Sequence, residues 1–346
     1  MADHTSLNKI THIGDSTLTS MMQDNIVEFF DWGLIDRGGF FNIDIPTEGH
    51  YGGNKYQLRL VDDPGYTSGQ VWEAFRSNWV WQSGLSPIDQ PRTMTKLKPD
   101  ATNYPNQSYK PGISGVFVGN TFQPTSGVGP YKHIVDYTNG RIVFDSAIST
   151  SSTVKAEYTH KWAKVTRADS AFFREIQYRS QRADEDFTLT GSGDYAQLAQ
   201  TRLQLPVLAI ETVRRSPSVP HELGGYAQHV YTDVLFHVLA EDNYTRDKLL
   251  DIVSLQEEKS IFMFDSDRIG RNNAFPLDYR GTTNSGALRY PELVAHSGSP
   301  DLGYRIGGPS NLSSQLTFKS ANSQEYSDLS PNLYHGVVRV TTEVIM

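Results

Sequence analysis

The 346-residue chain has no cysteine. That absence excludes disulfides, thiol nucleophiles, iron–sulfur clusters and cysteine-based zinc sites together. Stability must therefore come from packing, strand pairing or assembly. No apolar run reaches the roughly 18 residues of a membrane span, and the stretch from Met1 to Ser20 is polar in character, which argues against a secretory signal. Maturation in the cytoplasm is expected. Positive charge is scarce as well. Lys and Arg number 31 against 39 Asp and Glu, a formal charge of −8, so the electrostatic footprint of a protein that wraps nucleic acid is missing. With glycine counted and tyrosine left out, the apolar share is about 41%, a little under the roughly 45–50% of ordinary domains. The cores should be thin. Even so, 5 Trp, 18 Tyr and 16 Phe set the chain apart from disordered or collagen-like sequences. At roughly 150 residues per domain, two or three packed units are expected.

Met22 to Ile35 places Ile26, Phe29, Phe30 and Trp32 at helix-like spacing, with Asp24 as a candidate cap and Gly33, Gly38 and Gly39 at the end. Residues 40–81 mix short strand patterns with turn clusters such as Asp62-Asp63-Pro64-Gly65, and 85–110 reads as a linker or extended arm. Two hairpins follow. Val116 to Phe122 turns at Gly119-Asn120, and His133 to Asp145 turns at Thr138-Asn139-Gly140, where Asn-Gly supplies positive φ values. Val154, Ala156, Tyr158, His160 and Trp162 then alternate with polar residues, as in a strand with one buried face. Arg167 to Arg182 reads as helical or mixed. From Pro206 the order is strand, a loop over Arg214 to Gly225 rich in Pro and Gly, a long strand from His229 to Ala240, a helix from Arg246 to Glu258 capped by Asn243 or Thr245, and a strand from Ile261 to Phe264. The stretch from Asp265 to Pro331, crowded with Gly, Ser, Asn and Pro, reads as an arm that orders on a neighbouring subunit. Val338, Val340, Thr342 and Val344 share one face of a final strand, which must pair with its own sheet or the next subunit's.

The expected fold class is α+β and β-rich: a small antiparallel β unit, an α+β domain with one helix packed on a sheet, and long extended arms. The expected divisions are 1–110, an N-terminal helix with an aromatic-rich β region and linker; 111–167, the antiparallel unit; 168–265, the α+β domain; and 266–346, the arm and last strand.

Motifs that carry chemistry fail on inspection. His221-Glu222-Leu223-Gly224-Gly225 opens like a zinc-protease helix but has Gly225 where a second His is required. His229 and His237 share a strand face but lie about 26 Å apart at 3.3 Å per residue, too far for one metal. Asp265 to Gly270 opens like a calcium loop, yet Ile269 and Pro276 occupy ligand positions. No phosphate-binding glycine loop and no nucleophile elbow is present. Neither cofactor nor metal is expected, and no enzymatic activity. Arg167, Arg174, Arg179 and Arg182, with Arg214 and Arg215, form either a basic patch for nucleic acid or, more ordinarily, salt bridges. Trp72, Phe75, Trp79 and Trp81 form either a carbohydrate platform or, more ordinarily, core.

Phe29-Phe30-Asp31-Trp32-Gly33, the stretches Leu58 to Asp63 and Val71 to Arg76, and the hairpin His133 to Asp145 with Asn139-Gly140-Arg141 together resemble virion structural proteins of tailed bacteriophages, over roughly residues 25–165. Leu205 to Asp265 is similar in element order to the neck and tail-terminator proteins of such phages. The resemblance implies a symmetric ring, a hexamer or dodecamer, at the head–tail neck. Its partners would be other neck, portal or tail proteins, with genomic DNA sliding through the channel without sequence-specific binding and no membrane contact. It places the protein in the virion, assembled in the host cytoplasm. Acidic net charge suits such a channel. Terminators are usually shorter, so residues 1–200 would be an added module. Subunit contacts are expected at the loop residues Arg214, Arg215, Pro217, Pro220, Gly224 and Gly225, and at Val338, Val340, Thr342 and Val344 if the last strand augments a neighbour's sheet. A baseplate or tail-decoration role is the alternative within this class. A carbohydrate-binding or glycan-cleaving protein is the alternative outside it.

Overall fold

A computed structural model describes residues 15–43, 45, 55–74, 76–82, 113–171, 173–174, 204–215, 219–220, 228–272, 274–284, 287–295, 304–306, 315–325 and 333–345. Among them the chain is β-rich with few helices, as expected. Helix α1 (Asp15–Asp36) is longer than its sequence pattern predicts. It begins nine residues before Asp24, so Asp24 lies inside the helix rather than capping it. Its buried face is the run Leu18, Met22, Ile26, Phe30 and Leu34, every fourth residue, which stacks one side chain above the next on one side of the helix.

The next ten strands are short: β1 (Phe40–Ile43), β2 (Gln57–Leu60), β3 (Val71–Glu73), β4 (Gly115–Val118), β5 (Thr121–Pro124), β6 (His133–Asp136), β7 (Arg141–Phe144), β8 (Val154–Lys155), β9 (Tyr158–Lys161) and β10 (Lys164–Arg167). Seven of them form one antiparallel sheet in the order β5-β4-β8-β2-β3-β7-β6. Both predicted hairpins, β4–β5 and β6–β7, are neighbours in it. Each turn uses a single left-handed glycine, Gly119 (φ 63°) or Gly140 (φ 66°); Asn139 does not share the positive φ. At Gly140 no other residue fits. A Cβ there would stand 2.4 Å from the Arg76 carbonyl oxygen. The predicted strand over 154–162 keeps its buried alternation at Val154, Ala156, Tyr158 and His160 but breaks in two. β8 stays in the seven-stranded sheet, while β9 pairs with β1.

The second sheet uses longer strands: β11 (Val207–Arg215), β12 (Val219–Pro220), β13 (Gln228–Ala240), β14 (Ser260–Phe262), β15 (Gln315–Glu325) and β16 (Tyr334–Ile345). Its order is β10-β11-β13-β16-β15-β14, with β12 alongside the first residues of β13. All its pairs are antiparallel except β10 with β11. Helix α2 (Asn243–Ser254) is capped by Asp242, whose side chain accepts from Thr245 N; the cap falls one residue before Asn243 and three before Thr245, the two expected caps. α1 lies over β10 and β11, and α2 over β13 and β16. Both helices bury their apolar stripes in the same core as Leu208, Ile210, Phe236, Phe318 and Val338. Two helices therefore cover this sheet, not the single one expected. Sequence periodicity gave α1 no address, because the strands it covers, at 164–167 and 207–215, lie far downstream of it.

Three expectations change here. β16 is an internal strand of its own subunit's sheet, bonded to β13 on one side and β15 on the other. Its main-chain groups are used twice over within the subunit, which rules out that strand as an augmenting arm. The stretch 265–331 contains, among its described residues, helices α3 (Ser266–Arg271) and α4 (Tyr290–Val294) and the 11-residue strand β15. The expected boundary near residue 110 also separates strands that share a sheet, since β2 and β3 pair with β8 and β7.

Candidate functional site

With α1 and α2 covering one face of the larger sheet, strand alternation sends β13 residues His229, Tyr231, Asp233 and His237 to the other face, beside Arg339, Thr341 and Glu343 of β16. That face is laced with charge pairs, and at its far end Val207, Ala209 and Leu239 are buried with Phe173, Leu205 and Leu333. At one end Glu343 accepts from Tyr231 Oη (3.0 Å) and Lys319 Nζ (2.5 Å) and faces His229 Nδ1 (2.5 Å). Burial alone would push the Glu343 carboxyl up; the hydrogen bonds from Lys319, His229 and Tyr231 outweigh it and hold the group below the usual range. In the middle Asp233 accepts from Arg339 (2.5 Å) and from Thr341 Oγ1 (3.0 Å).

At the far end three strands are tied together. His237 Nε2 lies 3.0 Å from Glu211 Oε2 on β11, and His237 Nδ1 lies 3.4 Å from His335 Nε2 on β16. An ionised Glu211 accepts from Nε2–H, which leaves a lone pair on Nδ1 to accept from His335. One tautomer satisfies the whole chain. A second proton would set two N–H groups against each other, and burial together with His237 pushes His335 down to about 4.

The sequence-predicted contact residues divide into three groups. Arg214 and Arg215 close β11 after a bulge that follows Thr212, opposite Asp233 and Thr232, and Pro220 ends β12. Pro217, Gly224 and Gly225 lie outside the described residues. Val338, Val340, Thr342 and Val344 are at most 1% exposed and face the helices. They are core, not contact surface. Sequence alternation found their face but not what covers it.

Other candidates resolve toward ordinary roles. Arg167 is ion-paired with Asp24 (2.9 Å) and Asp169 (3.0 Å); Arg179 and Arg182 lie outside the described residues. Trp72 and Trp79 are buried and Trp81 half-buried in the small sheet's core, so these rings offer no exposed platform. Asp265 caps α3 by accepting from Arg268 N, which gives the apparent calcium loop a structural use. His221, Glu222 and the arm residues 326–332 are not described. Among the described residues no cluster of three His, Asp or Glu could hold a metal ion.

A feature that sequence reasoning missed lies at the other end of the helical layer. The last turns of α1 and α2, β14 and α4 surround an apolar cleft of about 800 Å³. Phe29, Trp32, Leu34, Ile252, Phe262 and Tyr290 form its walls, and Arg37, Lys259 and Arg305 contribute charge. Lys259 sits 5.5 Å over the Phe29 ring and Arg305 3.5 Å over the Phe262 ring. Gly33 opens into it, with nothing within 4 Å of where a side chain would begin. Leu255, at its lip, is 80% exposed. Gly33, expected to end the helix, lies inside α1 instead.

No family model, no curated protein and no solved structure matches the chain.

Proposed function

We propose that this protein is a non-enzymatic structural subunit of a tailed-phage virion that assembles into a symmetric ring, a hexamer or dodecamer, at the head–tail neck as a connector or tail terminator. The observation that carries this reading is the order β11, loop, β13, capped α2, β14, folded into one sheet with the helix on one face. It is the order of the segment on which the resemblance to neck and terminator proteins rests. The finer fold reading, a small antiparallel unit appended to a terminator-like domain, goes with it. The exposed cleft and the exposed apolar side chains of α2 supply contact surface, and the acidic net charge suits a channel through which DNA slides without sticking.

The contacts differ from those first expected. With β16 internal, the outermost strands among the described residues are β10 and β14, of four and three residues. They pair with only Val207–Ile210 of β11 and Gln315–Thr317 of β15, so the remainder of those two strands is sheet edge as well. Ring contacts run through side-chain surfaces, with portal, neck or tail proteins above and below. Light scattering of the purified protein, combined with negative-stain images, is the test. A closed ring of six or twelve is expected. A monomer at every concentration that also fails to bind portal or tail proteins would overturn the reading, and a monomer that binds the tail exterior would replace it with a decoration role.

A further inference from the structure

α2 carries an exposed large side chain at each end. Tyr244, in its first turn, is 77% exposed, and Leu255, just past its last residue, is 80% exposed. Eleven residues separate them, about 16 Å along the axis, and at about 100° per residue they lie on nearly the same side of the helix. Leu255 forms the lip of the cleft. Tyr244 projects from an acidic end of the helix, with Glu241 and Asp242 before it and Asp247 after it.

The two ends are complementary. The cleft is walled by aromatic and aliphatic side chains and lined by Arg37, Lys259 and Arg305 against one acid, Asp36. Its volume lies within the roughly 300–1,000 Å³ of pockets that enclose an organic group. Of the other exposed aromatics, Tyr279 is 88% exposed but lies under the Arg280 guanidinium at 5.1 Å, a cation that the cleft's own cations would repel. Among the described residues, Tyr244 is the exposed aromatic with acids on both sides.

We infer that Tyr244 of one copy, carried on the acidic start of α2, inserts into the cationic aromatic cleft at the end of α2 in the next copy. Such a contact is heterologous: knob and hole lie at different places on the same subunit, so each copy added leaves another hole open until the chain of subunits closes. It rests on the ring reading, for which it names the subunit contact. Burial of the Tyr ring supplies apolar area, and the flanking charges set its direction, since the acidic end finds the cationic one.

Two substitutions separate the halves of the contact. Tyr244→Ala removes the knob from an exposed position. Gly33→Leu fills the hole along a vector with no neighbour, at a helical site where Leu is favoured over Gly. Each variant alone is expected to fall from six or twelve subunits to one by light scattering. Mixed together they should form a capped dimer, because Tyr244→Ala keeps its hole and Gly33→Leu keeps its knob. If both variants retain the wild-type mass, the knob-in-cleft contact is overturned and the ring reading stands. If the wild type is itself a monomer, the ring reading fails in solution, and cross-linking decides the contact. The chain has no native cysteine, so Asn243→Cys mixed with Leu255→Cys is clean. Disulfide dimers forming at least tenfold faster than from Asn243→Cys mixed with Tyr279→Cys support the contact; equal rates overturn it.

Discussion

The two seven-stranded sheets make opposite use of chain length. In the small sheet no strand exceeds four residues, and its core of Leu58, Trp72, Trp79, Ile142 and Phe144 takes in Tyr158 of β9, with Ile43 and Leu277 packed against it. In the large sheet β13 runs 13 residues and β16 runs 12, and two helices are laid across one face. Short strands bury little per residue, so the small sheet leans on sterically demanding turns and on its neighbour. The loop around Gly281 covers its β6 edge, with Tyr137 N donating to Gly281 O and Thr282 Oγ1 to Val135 O. Long strands need no such help, but they pair segments distant in sequence and so place entropy in the way of folding.

Substitutions can break this comparison. The largest effect is expected from Phe236→Ala, a fully buried ring 5.3 Å from Phe30 in the large core. It should cost about 3–5 kcal/mol, and the helical circular-dichroism signal in urea should go with it, because α1 and α2 both depend on that core. Phe144→Ala removes an equally buried ring from the small sheet. It should cost about 3 kcal/mol and separate the transitions, near-ultraviolet signal from the tryptophans being lost while helical signal remains. One concerted transition in Phe144→Ala would mean the two sheets unfold as a unit. Gly140→Ala should cost about 1–3 kcal/mol through left-handed strain and the clash with Arg76 O, readable as a lowered urea midpoint of the small sheet alone. Asp242→Ala should cost about 1 kcal/mol by removing the α2 cap.

The seam between the sheets adds a pH test, smallest near pH 4.5. There Lys161 Nζ lies 2.6 Å from Asp31 Oδ2, next to Glu28 on α1. Burial and the neighbouring Asp31 push Glu28 up to about 7. The folded form thus holds a proton that the unfolded form releases near 4.5. Stability from this group is full below pH 4.5 and is lost as pH rises to about 7. Glu28→Gln should match the wild type at pH 4.5 and exceed it at pH 8, and an unchanged difference across that range would sink the assignment. His160 and His335 work in the opposite sense. Pushed down to about 3 and about 4, chiefly by burial, they contribute stability above pH 6.5 that is lost on acidification.

The two hairpins of the small sheet were legible because their information is local. Gly119 and Gly140 mark turns whose strands pair with the nearest neighbour in sequence. In the large sheet the strands themselves were legible at 207–213, 229–240 and 337–345, but not their partners, since alternation tells which face is buried and not what covers it. β15 was hidden by composition. Lys319, Asn322 and Ser323 are exposed, while Leu316, Phe318 and Ala321 pack on the core, too few apolar residues to stand out from Gly- and Ser-rich surroundings. α1 began early because Leu18 extends the stripe through residues that read as a polar leader. The cleft was invisible, because Phe29, Ile252 and Tyr290 meet only in three dimensions.

The central place of β16 bears on how the chain is made. β13 and β15 each bond to it along nearly their full length, and it is the last of the described strands to leave the ribosome. Until it emerges, two long strands must wait with open edges, and the helices above them have half a floor. The large sheet can close only after synthesis has passed residue 345. A chain that stops short of β16 leaves the facing edges of β13 and β15 without the strand that joins them.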